Sequence, residues 1–122
     1  MALAEHLWRS LPKWRFYRNP DGAVAFLSEI DCWSVGAQGA MFAVMQHCAE
    51  HGCVLPCVER LEQSLHALMA PLEDDIYGLL FAERDRPEGH LLALHAFVAP
   101  DRVVPTDRRI EAERRLRSTT DR

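Results

Sequence analysis

The sequence predicts an α+β domain, with helices packed on one face of an antiparallel sheet. Three observations carry that prediction. A short stretch of alternating charged and aromatic residues opens the order, two helical stretches follow, and three apolar runs separated by brief polar breaks come next. A charged, helix-like segment then completes the order strand, helix, helix, three-strand meander, helix.

The first strand is KWRFYR, Lys13 to Arg18, anchored by Trp14, Phe16 and Tyr17 and closed by the turn signal NPDG. AVAFLSEI reads as a short helix ending near Asp31 or Cys32. The clearest element runs from about Ala37 to His51. Met41, Val44, Met45 and Cys48 recur there at i, i+3, i+4 and i+7, which lines one face of a helix, and Gly52 stands where a C-cap is expected. That stripe reads as core and not as a cofactor box. Beyond a loop through Pro56, the runs LEQSLHALMA, DIYGLLFAE and HLLALHAFVA are joined by PLED and DRPEG, short and polar like hairpin connections. In the last of them strict alternation groups Leu91, Ala93, His95 and Phe97 on one face and Leu92, Leu94, Ala96 and Val98 on the other. From Thr106 onward, PTDRRIEAERRLR has a cap in Thr106 or Asp107. Its apolar face is limited to Ile110, Ala112 and Leu116, so it is expected to dock loosely.

At 122 residues the chain fits one domain, 1–122, with a single core. Its 48% hydrophobic and 26% charged residues exclude the composition of a disordered chain. The net charge of −4 conceals an asymmetry: residues 1–18 carry +3, residues 19–82 carry −8 with Arg60 as their one base, and residues 83–122 carry +1. Binding nucleic acid needs a basic footprint, which here requires the two ends to converge. MALAEHLWRS lacks the cationic start and apolar run of a secretory leader, so the four cysteines are expected in a reducing cytoplasm. No apolar run approaches the ~20 residues that span a bilayer. HCAEHGCVLPC offers His47, Cys48, His51, Cys53 and Cys57, but structural zinc favours tight cysteine pairs and Cys48 belongs to the helical stripe. No metal or cofactor is expected.

Four local patterns, in order, resemble the RelE/HigB superfamily of bacterial toxins, in particular its phage-derived HigB-like branch. They are RFYRNPDGAVAFLSEI, HCAEHGCVL, RLEQSLHAL, and LHAFV followed by PTDRRIEAERR, together covering about residues 14–117. The resemblance implies a RelE-like small domain and the toxin component of a type II toxin–antitoxin system. Such a protein is a metal-independent, ribosome-dependent mRNA endoribonuclease, neutralised by a cognate helix-turn-helix antitoxin. Its expected partners are that antitoxin, the ribosome and mRNA, with no membrane and no direct contact with DNA.

Cleavage of this kind has a 2′-hydroxyl attack the adjacent phosphate while cations stabilise the developing charge. The family's cations fall in three motifs, and the sequence departs from all three. The glutamate and arginine positions of the first motif are Ala67 and Met69, the arginine of the second is Gly78, and the lysine pair of the third falls on Ala99 and Pro100. Candidate catalytic residues that remain are His95, Tyr77, Arg60 and Arg102. Histidine as a residue type suits proton transfer near neutral pH, but the strand of His95 reads as the middle of a sheet, where it is expected first as a hydrogen-bonded core histidine. Tyr77 is a general acid or a sheet aromatic. Lys13, Arg15, Arg18, Arg84 and Arg86 are the candidate RNA contacts, each otherwise a solvated surface base. Two functions follow, a cleaving toxin or a family member that has lost cleavage and holds a partner protein. The acidic middle and the missing cations favour the second. A third class, a small regulatory or phage protein converging on this layout, has the same element order.

Overall fold

A computed structural model describes residues 5–52, 58–61, 64–84 and 89–120. Its elements are α1 (Glu5–Arg9), β1 (Trp14–Phe16), α2 (Ala25–Ile30), α3 (Val35–His51), β2 (Val58–Arg60), β3 (Leu65–Leu72), β4 (Asp75–Arg84), β5 (His90–Ala99) and α4 (Thr106–Thr120). The five strands form one sheet in the order β1-β5-β4-β3-β2. β3, β4 and β5 are the expected antiparallel meander, while β1 joins β5 in parallel, with Trp14 opposite Leu91. The α+β class therefore holds, and α1 and β2 are additions to the predicted order.

Local chemistry sets the ends of α3. The Ser34 hydroxyl accepts the Ala37 N–H at 3.1 Å, satisfying one of the free donors of the first turn. At the other end Gly52, at φ 91°, donates its N–H to the Cys48 carbonyl at 2.9 Å, a backbone conformation that residues with a Cβ adopt at a cost. Between these caps Met41, Met45 and Cys48 are buried as the spacing predicts, against Leu68, Leu79 and Phe81 of the sheet. The Trp14 indole donates to the Met45 carbonyl at 2.8 Å and ties β1 to this helix. Buried Gln38 does the same for α2, donating to the carbonyls of Ile30 and Trp33 at 3.1 and 3.2 Å.

Three expectations are corrected. Helices do not keep to one face: α2 and α3 cover one side of the sheet, and α4 covers the other over Ala67, Met69, Leu80, Leu94 and Ala99. The cause lies in β4 and β5, which are apolar on both faces and would leave Leu80 and Leu94 in water without a second layer; covering each such side chain is worth about 1.5–3 kcal/mol.

Strict alternation in β5 also fails. Leu80 pairs with His95 but Phe81 pairs with Ala93, so Leu94 is an extra residue, and this β-bulge turns Leu94 to the α4 side together with Leu92 and Phe97. Nor does α4 dock loosely. Ile110 points to solvent, but Ala112 is fully buried and Arg115 is only 9% exposed, locked by ion pairs that hydropathy does not register.

Gly78 is packed so closely that a Cβ there would lie inside contact distance of the Phe97 ring tip. Replacing Gly78 by Ala is expected to destabilise the fold by about 1–3 kcal/mol through overpacking. Adding Phe97→Leu should recover part of that loss, and urea unfolding of the single and double variants would read both effects. A strictly additive double variant would rule the contact out as the cause.

Candidate functional site

His95 sits in β5 with only 4% of its surface exposed. Its Nδ1 lies 2.7 Å from Glu29 Oε2, an ion-pair contact that is not aligned as a full hydrogen bond, and its Nε2 is 3.4 Å from an Arg108 guanidinium nitrogen. An arginine can only donate, so the neutral tautomer that fits carries its proton on Nδ1, facing the carboxylate. Glu29, reaching over from α2, collects further donors. Its Oε1 accepts the Ala96 N–H at 2.9 Å, and its Oε2 accepts from Arg115 of α4 at 2.7 Å. Arg115 also donates to the Leu94 carbonyl at 2.6 Å and to Glu111 at 2.8 Å, and its guanidinium lies 5.2 Å from the centre of the Tyr17 ring.

The electrostatics of this network favour fixed charges. Burial works to raise the pKa of Glu29, but the close His95 ring, the Ala96 N–H and Arg115 outweigh it and leave the carboxyl below its ordinary value. On the solvent side, a hydrogen bond from Arg114 leads in holding Glu111 down to about 2, with Arg115 contributing against a burial cost. The His95 ring is held between Glu29, largely buried, and Arg108, which is exposed at the surface. Beside the network a cavity of about 390 Å³ is lined by Glu29, Cys32, Trp33, Phe97, Asp107 and Arg108, and His95 is not part of its wall.

The structure does not bring the four candidate catalytic residues together. Tyr77, half-buried in β4, stacks edge-on with Trp33 at 4.9 Å on the α3 side of the sheet, whereas His95 belongs to the α4 side, paired with Leu80. Arg60 is exposed on β2 at the far edge of the sheet, opposite half-buried His66, whose ring stacks on Phe81. Arg102 is exposed at φ 65° in the turn after β5.

The RNA-contact candidates divide likewise. Arg15 and Arg18 are exposed and line one cleft with Arg9, while Lys13 lies at a second, with Arg84. Arg84 is half-buried and donates to the Thr119 hydroxyl at 3.3 Å, and Arg86 falls outside the described residues. Of the zinc candidates, His47 and His51 are exposed with rings 4.8 Å apart, Cys48 is buried and disulfide-bonded, and Cys53 and Cys57 fall outside the described residues. Expecting thiols held reduced therefore does not extend to Cys48. Among the described residues no group of three His, Cys, Asp or Glu side chains is placed to hold a metal ion, and no helix is long and apolar enough to cross a membrane.

Glu29 and Arg115 were not singled out by sequence reasoning. One is a lone acid in a six-residue helix and the other is one arginine among several, and no local pattern marks their convergence across 86 positions.

Because the folded-state pKa of Glu29 is lowered, its ionisation stabilises the fold above its ordinary value of 4.5, and that contribution is lost as pH falls through the folded value. Glu29→Gln removes one of the two carboxylates that pair with buried Arg115, leaving Glu111 as the other, and is expected to cost roughly 1.5–3 kcal/mol at pH 7. Measured by urea unfolding, the gap between wild type and variant should narrow steadily below pH 4.5. A gap independent of pH would show that the charge of Glu29 contributes nothing.

No family model matches the chain. Human GPI alpha-1,2-mannosyltransferase 4, a curated protein, is 38% identical to it over 65 residues, which is 53% of this chain. The chain spans 11% of that protein's length.

Proposed function

We propose that this chain is a RelE/HigB-like domain that serves a toxin–antitoxin system by holding a partner protein, and that it does not cut mRNA. One observation carries the reading. Of the positions where the resemblance puts the catalytic cations, Met69, Gly78 and Ala99 are buried and only Pro100 is exposed; Met69 and Ala99, with Ala67 at the family's glutamate position, belong to the apolar cluster that includes Ala112 of α4. A cleavage site needs preorganised donors facing an open groove. Here the corresponding surface is filled by aliphatic side chains, with the Phe97 ring in the space a residue larger than glycine at 78 would need.

Removing a single oxyanion donor typically lowers a rate about 10²–10³-fold, and this chain lacks several of those the resemblance calls for. Arg60 and Arg102 are the surviving bases of that set, and β5, β4 and β3 stand between the β1 edge and the β2 strand that carries Arg60. The element order, strand, two helices, three-strand meander and helix, is the order the resemblance implies and supports the family reading. A fold kept without its catalytic groups retains the surface by which a toxin is held, and the natural partner is a helix-turn-helix protein of the antitoxin kind.

Induction of the chain in bacteria, with mRNA 5′ ends mapped genome-wide, is expected to leave growth unchanged and produce no new ends within coding regions. Co-expression with a helix-turn-helix protein encoded beside it should yield a stoichiometric complex. Growth arrest accompanied by new cuts would overturn the proposal and make the chain a working toxin.

A further inference from the structure

The geometry points to a nucleotide-phosphate site in the cleft between α1, β1 and α2, with Arg15 and Arg18 taking the phosphate and Phe16 and Leu27 the flat apolar face of the base. The cleft has a volume of about 400 Å³, and three guanidinium groups but no carboxylate stand among its lining residues. That size falls in the range of small-ligand sites and suits one nucleotide. A planar guanidinium offers five donors in a fork that matches phosphate oxygens. Arg18 is held at the rim by one bond, from Nη1 to the Gly22 carbonyl at 2.8 Å, which orients its head and leaves its other donors for a ligand. Arg15 is exposed on β1, directed away from the buried Trp14 beside it.

A second observation is independent of the charges. Trp8, which also lines the cleft, is 1% exposed, and its indole N–H has no acceptor among the described residues. The indole of Trp14, lining the same cleft, shows the usual outcome, a bond to a backbone carbonyl. Buried donors are rarely left without a partner, and one that is orphaned beside Arg15 and Arg18 marks a place where an acceptor-rich anion completes the set. The cleft also draws on the most positive segment of the chain, since residues 1–18 carry +3 in a protein of net −4. The phosphate of such a ligand can belong to a free mononucleotide or to one residue of an RNA strand; the recognition chemistry is the same.

The test is an NMR titration of the full chain with 5′-AMP, adenosine, inorganic phosphate and an eight-nucleotide oligoadenylate, following the three indole N–H resonances. We expect saturable binding of 5′-AMP with movement of the Trp8 resonance while that of Trp33 stays fixed. Adenosine and inorganic phosphate should each bind at least tenfold more weakly than 5′-AMP. Arg15→Gln, and separately Arg18→Gln, should weaken 5′-AMP binding by roughly tenfold or more, as loss of a charge-assisted hydrogen bond does, while Arg84→Gln leaves it unchanged. If the oligonucleotide binds at least tenfold more tightly than 5′-AMP, with affinity falling steeply as salt rises, the ligand is RNA; equal affinity assigns the site to a free nucleotide. No saturable binding of either, adenosine or phosphate as good as 5′-AMP, or arginine variants that bind like wild type would each overturn the proposal.

Discussion

β1 is three residues long and β5 is ten, so most of the outer edge of β5 has no strand to pair with. Backbone groups left unpaired and away from water cost free energy comparable to a lost hydrogen bond, so the protein has to satisfy them otherwise. It does so with side chains. The Ala96 N–H goes to Glu29 and the Leu94 carbonyl to Arg115, and these two side chains also bind each other. Glu29 comes from the helix layer packed beside β1 and Arg115 from the helix on the opposite face, so one ion pair finishes the sheet edge and joins the two layers across it. The bulge at Leu94 belongs to the same arrangement, because it interrupts the alternation at the residue whose carbonyl Arg115 takes.

That closure explains why a helix with so little apolar surface stays in place. Seven of the fifteen residues of α4 are arginine or glutamate, and Ala112 is its one fully buried apolar residue. Its attachment depends on charges desolvated together, which makes it sensitive to the loss of either partner in a way that an aliphatic stripe is not. His95 is read most simply as part of this joint. Its ring fills the space between Glu29 and Arg108 and carries a proton placement consistent with both. Histidine suits a position that needs a donor on one side and an acceptor on the other, and that requirement is met here without any chemistry.

Much of the fold was legible in the sequence because its signals are local. The i, i+3, i+4, i+7 stripe of α3, the cap at Gly52, the NPDG turn and the three apolar runs each report on a few neighbouring residues, and each corresponds to an element of the structure. What was not legible depends on distance or brevity. Val58–Arg60 and Glu5–Arg9 are too short to show a period. The side of the sheet that α4 covers is decided by a salt bridge between residues 29 and 115, which no window contains. Of the site, the sequence marked His95 but not what holds it. It marked Arg15 and Arg18 but not Trp8 or Arg9, which reach the cleft from a helix absent from the predicted order.

The charge asymmetry read from the sequence also acquires a physical meaning. Positive charge at both ends suggested one basic surface, provided that the ends meet. They do come close, since Arg115 lies over Tyr17, one residue beyond β1. Yet the arginines brought there by α4 are already matched: Arg115 by Glu29 and Glu111, Arg114 by Glu111, and Arg109 by Glu113. A paired charge in a carboxylate's hydrogen-bonding reach contributes little field a few ångströms away, and less again in physiological salt. Arg109, Arg114 and Arg115 therefore act largely as the attachment of a helix, while Arg15 and Arg18 stand exposed at the cleft beside β1.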